Sequence, residues 1–118
     1  MMHCCCESRG YLIGAPLVFK NATSSCLIRK EGKLPREVFG EEYELEYGFG
    51  KIEVHRDDVR MYSNILLIDD ILATGGTLKS SAILLERAGG RVKDIFVLLS
   101  FVVLMVDAFL KTMRLILL

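Results

Sequence analysis

Ile65-Leu66-Leu67-Ile68-Asp69-Asp70-Ile71-Leu72-Ala73-Thr74-Gly75-Gly76-Thr77 joins an apolar run to two adjacent carboxylates and a small, Gly-rich turn. Four consecutive apolar residues suit a strand buried on both faces, as in a parallel sheet. Side-chain bulk is nearly absent from Ala73 to Thr77, so backbone N–H groups there can close on a ligand. Leu78, Ala82, Leu85 and Ala88 then form a helical apolar stripe, stopped by Gly89 and Gly90 and capped at its start by Thr77. The positive end of that helix points at the turn, where phosphate is the natural guest. Two acids would repel phosphate unless they grip hydroxyls instead, and a sugar phosphate offers both groups a few ångströms apart. An Asp-Asp pair ending a buried strand has no packing reason, which argues against a loop that binds nothing.

The common nucleotide loops do not fit. A Walker loop requires G-x-x-x-x-G-K-[ST], whereas Thr74-Gly75-Gly76-Thr77 runs on into Leu78 and Lys79 behind two acids, and no G-x-G-x-x-G occurs. Downstream, Val92, Ile95, Val97 and Leu99 begin another strand. Strand, helix and strand at this spacing imply a right-handed crossover and a parallel sheet, with ligands beyond the carboxyl ends of the strands. Upstream, Tyr11, Leu12, Ala15, Val18 and Phe19 recur at helical spacing, so a helix is expected over 10–20, with Pro16 bending it or limiting its first turn. Cys26-Leu27-Ile28 reads as a short buried strand delivering Arg29 and Lys30. Residues 31–42, rich in charge and Gly, are expected to be a mobile loop. In Tyr43-Glu44-Leu45-Glu46-Tyr47 apolar side chains alternate with acids, as in a strand with one wet face. Ile52–Val54 supplies its hairpin partner, and 56–64 is a turn region.

The chain has 118 residues, enough for one domain, and 52% are hydrophobic. Fifteen basic residues balance fifteen acidic ones, so no basic field exists to hold nucleic acid. Arg29, Lys30, Lys33 and Arg36 supply local positive charge. Cys4, Cys5 and Cys6 are contiguous and Cys26 stands apart, which is not the spaced pattern of a zinc site; reduced thiols in a cytosolic protein are expected. No charged-then-apolar leader is visible. His3 and His55 have no partner pattern and are read as surface residues.

Four segments together resemble the type I phosphoribosyltransferases, in the form of the adenine phosphoribosyltransferase family. Asp69–Thr77 resembles that family's phosphoribosyl pyrophosphate motif. Glu7-Ser8-Arg9-Gly10-Tyr11-Leu12-Ile13-Gly14-Ala15-Pro16 resembles its pyrophosphate-binding turn and first helix. Arg29-Lys30-Glu31-Gly32-Lys33-Leu34-Pro35-Arg36 resembles its basic loop, and Tyr43-Glu44-Leu45-Glu46-Tyr47-Gly48 its catalytic segment. The order and spacing agree over about residues 7–100. The resemblance implies a single α/β, parallel-sheet (Rossmann-like) domain over 1–118, incomplete relative to the family. It also implies a cytoplasmic homodimer that makes adenosine monophosphate (AMP) and pyrophosphate from adenine and phosphoribosyl pyrophosphate, with no nucleic acid or membrane partner.

By that resemblance Asp69 and Asp70 hold the ribose hydroxyls, and Ala73, Thr74, Gly75, Gly76 and Thr77 wrap the 5′-phosphate. Ser8, Arg9, Arg29, Lys30 and Lys33 take the pyrophosphate. Glu46 handles a proton on the base with Tyr47 as its neighbour, and Ile71 packs on the base. Read as residues alone, Glu44 and Glu46 are better explained as the solvated face of a strand, and Tyr43 and Tyr47 are equally well read as packing residues. Magnesium would be held mainly by substrate and water, with no dedicated metal cluster.

Both ends depart from the family. Met1–Cys6 stands where helices and a strand are expected, and the apolar tail 101–118 is divergent, so truncation, a lost strand and little turnover are expected. The run 95–106 is too short for a membrane span and is followed by Asp107, Lys111 and Arg114. A long buried strand followed by an amphipathic helix is expected there. The alternatives are a regulatory module that binds phosphoribosyl pyrophosphate without chemistry, or a membrane-attached fragment.

Overall fold

The apolar run of four extends into a nine-residue strand. In the computed structural model, which describes residues 1–7, 9–45, 47–72, 76–100 and 114–117, β5 covers Asn64–Leu72 and holds Asp69 and Asp70 within its own ladder. Its parallel neighbours are β1 (Met2–Cys6) on one side and β6 (Arg91–Ser100) on the other. β1 also pairs in parallel with β2 (Ser25–Lys30), and β7 (Arg114–Leu117) runs parallel to β6 at the sheet edge. A hairpin forms as β3 (Val38–Leu45) and β4 (Gly48–His55), but not in the expected register. β3 stops at Leu45, opposite Gly48, so Ile52–Val54 pair with Phe39–Glu41 instead of Tyr43–Tyr47, and β4 joins β2 antiparallel. The sheet therefore reads β3-β4-β2-β1-β5-β6-β7, a parallel body with an antiparallel hairpin on one flank.

Among the described residues two helices cover the sheet. α1 (Arg9–Asn21) packs on β1 and β5, and α2 (Gly76–Arg87) on β3, β4, β5 and β6. The apolar stripe read from the sequence is the buried face of α2: Leu78, Ala82 and Leu85, with Leu84, join Ile28, Val54, Ile65, Leu67, Ile95 and Val97 in the core. Gly14 lets α1 lie close to β1, since a Cβ there would sit 2.0 Å from Cys5 Sγ. Gly89, at φ 106°, ends α2 in a backbone region that glycine adopts without penalty.

Several expectations are corrected. The sheet does not lose its inner strand: Met2–Cys6 fills that place with every residue buried. The 31–42 segment is a loop only in part, because β3 starts at Val38. Helix α2 begins at Gly76, so Thr77 lies in its first turn and does not cap it. Residues 114–117 form a strand instead of continuing a helix; the rest of the tail lies outside the described residues. His3 and His55 are buried, not superficial. His3 Nδ1 lies 3.2 Å from the Thr23 hydroxyl, and burial, helped by the nearby N-terminal charge, lowers its pKa.

The cysteines are not all reduced. Cys4 and Cys26 are register partners on β1 and β2 and form a disulfide across 4.7 Å between Cα atoms. Residues 22 apart in sequence become bonding neighbours only once the two strands pair, so their spacing gave no sign of it. Cys5 and Cys6 are free and buried.

Candidate functional site

Parallel strands bring their carboxyl ends to one edge, and this edge holds the chemistry. β1 ends at Cys6 and leads into Glu7, β2 ends with Arg29 and Lys30, and β5 carries Asp69 and Asp70. Together with Arg9, Thr77, Tyr43, Ile28, Ile52 and Ser81 they line a cleft of about 390 Å³. Gly10 is what allows the first turn of α1 to press on β5: a Cβ there would lie 2.9 Å from the Ile68 carbonyl oxygen and 3.4 Å from Asp69 Cα.

The two acids differ. Asp69 is only 8% exposed. Burial pushes its pKa up to about 7, with the neighbouring Asp70 charge adding to the effect, while the hydrogen bond from Asp70 N and the charge of Arg9 oppose it. Its Oδ1 accepts that Asp70 N–H at 2.8 Å. Asp70 is half-buried and pairs with Arg9 Nε at 2.8 Å. One carboxyl near neutrality and one ion-paired carboxylate thus stand side by side, both able to accept from hydroxyls.

At the end of β2 the basic residues gather around Glu7. Its carboxylate accepts the Lys30 N–H at 2.7 Å, pairs with Lys33, and lies 3.8 Å from Arg29 Nε. Burial works to raise the Glu7 pKa, but the hydrogen bonds from Lys33 and the Lys30 N–H and the charges of Lys33 and Arg29 outweigh it, and the net shift is downward. Arg29 Nε is buried with no hydrogen-bond partner among the described residues. Tyr11 donates its hydroxyl to the Ile28 carbonyl at 2.8 Å and so ties α1 to the end of β2; burial raises its pKa. Cys6 Sγ lies 3.5 Å from Ser81 Oγ at the cleft floor, and burial, then the Asp69 charge, raises its thiol pKa.

Of the residues singled out from sequence, Arg9, Arg29, Lys30, Asp69, Asp70 and Thr77 share this cleft. Lys33 reaches its edge through Glu7. Tyr47 sits beyond the end of β3, 92% exposed, away from the lining. Ser8, Glu46, Ala73, Thr74 and Gly75 lie outside the described residues, and Ile71 is described only as part of β5. Arg36 does not line the cleft. Sequence reasoning missed Glu7 as the organiser of the basic wall, because its partners lie 23 and 26 residues away and no local pattern links them.

No protein-family model matches the chain. The adenine phosphoribosyltransferase of Borrelia garinii subsp. bavariensis is 90% identical over 90 residues, which are 76% of this chain and 51% of that protein. The chain thus spans about half the length of the curated relatives it matches. The adenine phosphoribosyltransferase structure from Thermoanaerobacter pseudethanolicus superposes with a TM-score of 0.92 at 40% identity, over 98% of this chain and 67% of that one. The enzyme from Saccharomyces cerevisiae, solved with adenine and D-2,5-dideoxy-2,5-imino-altritol 1,6-bisphosphate, gives 0.84 at 28% identity, over 99% of this chain and 65% of that one. The α/β fold is that of the type I phosphoribosyltransferases. At 40% identity over two thirds of a family structure, the chain belongs to the adenine phosphoribosyltransferase family.

Proposed function

We propose that this chain carries the phosphoribosyl pyrophosphate half of an adenine phosphoribosyltransferase site, which makes AMP and pyrophosphate in purine salvage. The observation that carries the proposal is one cleft lined both by the carboxylates Asp69 and Asp70 of β5 and by the cations Arg29 and Lys30 at the end of β2 and Arg9 of α1. Few ligands need both; a ribose bearing phosphate and diphosphate does. Asp69 and Asp70 accept from the ribose hydroxyls. Residues 73–77, leading into α2, take the 5′-phosphate on backbone N–H groups and on Thr77. Arg29, Lys30, Lys33 and Arg9, with Ser8, face the diphosphate. The yeast relative's complex with adenine and a bisphosphate sugar analogue supports the same pairing of ligands.

In the reaction the C1–oxygen bond breaks with its electron pair leaving on the diphosphate, and adenine N9 bonds C1. Cations aimed at the departing diphosphate stabilise the charge that develops there. Glu46 takes the proton released from the base at N7, with Tyr47 beside it. Ile71 packs on the base. No group of three or more His, Cys, Asp or Glu residues among the described residues is set to hold a metal. Magnesium would be held mainly by oxygens of the diphosphate and by water, beside the ribose that Asp69 and Asp70 grip. When bound, magnesium would neutralise diphosphate charge.

We place the protein in the cytoplasm as a homodimer. No helix among the described residues is long and apolar enough to cross a membrane. The Cys4–Cys26 bond is fully buried, which shields it from cytosolic thiols. Leu12 and Phe19 leave an exposed apolar face on α1, which supports a subunit contact; sedimentation of a monomer at micromolar concentration would refute the dimer. The central test is calorimetry with phosphoribosyl pyrophosphate and magnesium, paired with an assay of AMP formation from adenine. Tight binding with turnover supports the enzyme, binding without turnover leaves a sensor module, and no binding overturns the proposal.

A further inference from the structure

The loop 31–37 that carries Lys33 is stitched along β4 at alternate residues. Glu31 N donates to the Lys51 carbonyl at 3.0 Å, and Gly32 N to Glu53 Oε1 at 2.8 Å. Farther along, Arg36 N donates to His55 Nε2 at 3.4 Å. Glu53 and His55 lie two residues apart on one strand and are both buried, so their side chains share a face. Arg36 completes the last stitch. Its guanidinium Nη2 pairs with Asp58 Oδ1 at 2.8 Å, lies 3.5 Å from Asp57 Oδ1, and is 3.1 Å from His55 Nδ1. His55 Nδ1 in turn lies 3.2 Å from Asp58 Oδ2. With Nε2 accepting from Arg36 N, the proton belongs on Nδ1 and is donated to Asp58, so the Arg36 guanidinium is joined to His55 through their shared Asp58 carboxylate and not by a bond to Nδ1.

By sequence Arg36 belongs with the cations that supply positive charge near the cleft. Its charge is spent on Asp57 and Asp58 outside the cleft, and its backbone on His55. A buried imidazole with both nitrogens engaged, holding the far end of the loop whose near end meets Glu7, has the geometry of an anchor. We propose that His55, oriented by Asp58, is a positioning residue for diphosphate binding: it fixes Arg36, and through it the path of the loop that presents Lys33. The inference rests on the phosphoribosyl pyrophosphate reading of the cleft.

The test compares two probes on the 118-residue chain by calorimetry with magnesium present: inorganic pyrophosphate, and ribose 5-phosphate, which uses the acids and the phosphate turn but not this loop. The variants are His55→Ala and Asp58→Asn; the latter keeps the shape of a half-exposed residue and guards against a fold defect. The expected result is a pyrophosphate affinity about 3–10-fold lower, the scale of one partly exposed charge-assisted bond, with ribose 5-phosphate within about two-fold of wild type. Unchanged pyrophosphate affinity in both variants overturns the inference and leaves the site reading intact. Equal losses for both probes also overturn it, since that is general loosening of the fold. A wild-type chain that binds neither probe overturns the site reading and the inference with it.

Discussion

Replacing Asp69 by Asn should stabilise the chain near neutral pH while damaging the cleft. Asp69 is 8% exposed, and its pKa lies at about 7 against an ordinary value of 3.8. The gap is about three pH units, each worth about 1.36 kcal/mol, so ionising Asp69 in the folded chain opposes folding by up to roughly 4 kcal/mol. Interaction with Asp70 and Arg9 spreads part of this over the group, and about 2 kcal/mol is the working expectation for the single substitution. The sign follows from proton binding. Between pH 4 and 7 the folded state holds a proton that the unfolded state has released, so Asp69's contribution is fully present below about 4 and is lost as pH rises through about 7. The assay is urea unfolding of wild type and Asp69→Asn at half-unit steps from pH 4.5 to 8.5. The stability of the variant relative to wild type should rise across that window and level off above about 7.5. A difference that stays flat with pH, or an Asn variant that grows relatively weaker as pH rises, would refute the assignment of a raised pKa to this carboxyl.

Asp70→Asn should weaken phosphoribosyl pyrophosphate binding by about 1.5–3 kcal/mol through loss of a charged acceptor, and unchanged calorimetric affinity would sink its ribose role. In a form that turns over, Glu46→Gln should lower kcat about 10²–10⁴-fold with a smaller effect on KM, and a normal kcat would reduce Glu46 to a solvated residue. Leu84→Ala removes a fully buried α2 side chain and should lower the unfolding free energy by about 2–5 kcal/mol, measurable by the shift of the urea midpoint. Gly14→Val meets Cys5 Sγ head-on and should destabilise by at least about 1–3 kcal/mol; a soluble variant with wild-type stability would mean α1 is free to shift outward.

The parallel body was legible because its signals are local. The run 65–68, the stripe Leu78–Ala88 and the Gly89-Gly90 stop each specify an element from within a dozen residues, and β5, α2 and β6 follow them closely. The acids and the cations that share the cleft stand out in the sequence by their types and flanks. What escaped depends on pairing at a distance. Met2–Cys6 is buried throughout, so it shows no alternation to announce a strand. The Cys4–Cys26 bond exists only through the β1–β2 register. Glu7, Glu53 and His55 look like isolated polar residues until the strands bring loop 31–37 beside them. The burial of His55 was missed for the same reason: its partners Arg36 and Asp58 come from two different connections.

The place of β1 between β2 and β5 also fixes an order of events during synthesis. The β3–β4 hairpin closes through Leu45 opposite Gly48, and β5, α2 and β6 are sequential, so these units collapse as they emerge. β1 is made before all of them, yet its second partner is remote: Met2 lies opposite Ile65 and Cys5 opposite Ile68. Such long closures are slow relative to local ones. Until some sixty further residues have left the ribosome, the nascent strand has at most one flank covered, and the thiols of Cys5 and Cys6, later enclosed, remain open to oxidants, metals and other chains. Chemical damage to this segment is therefore a hazard of the growing chain more than of the finished one, and pulse-labelling thiols on stalled chains of increasing length would locate the point at which protection begins.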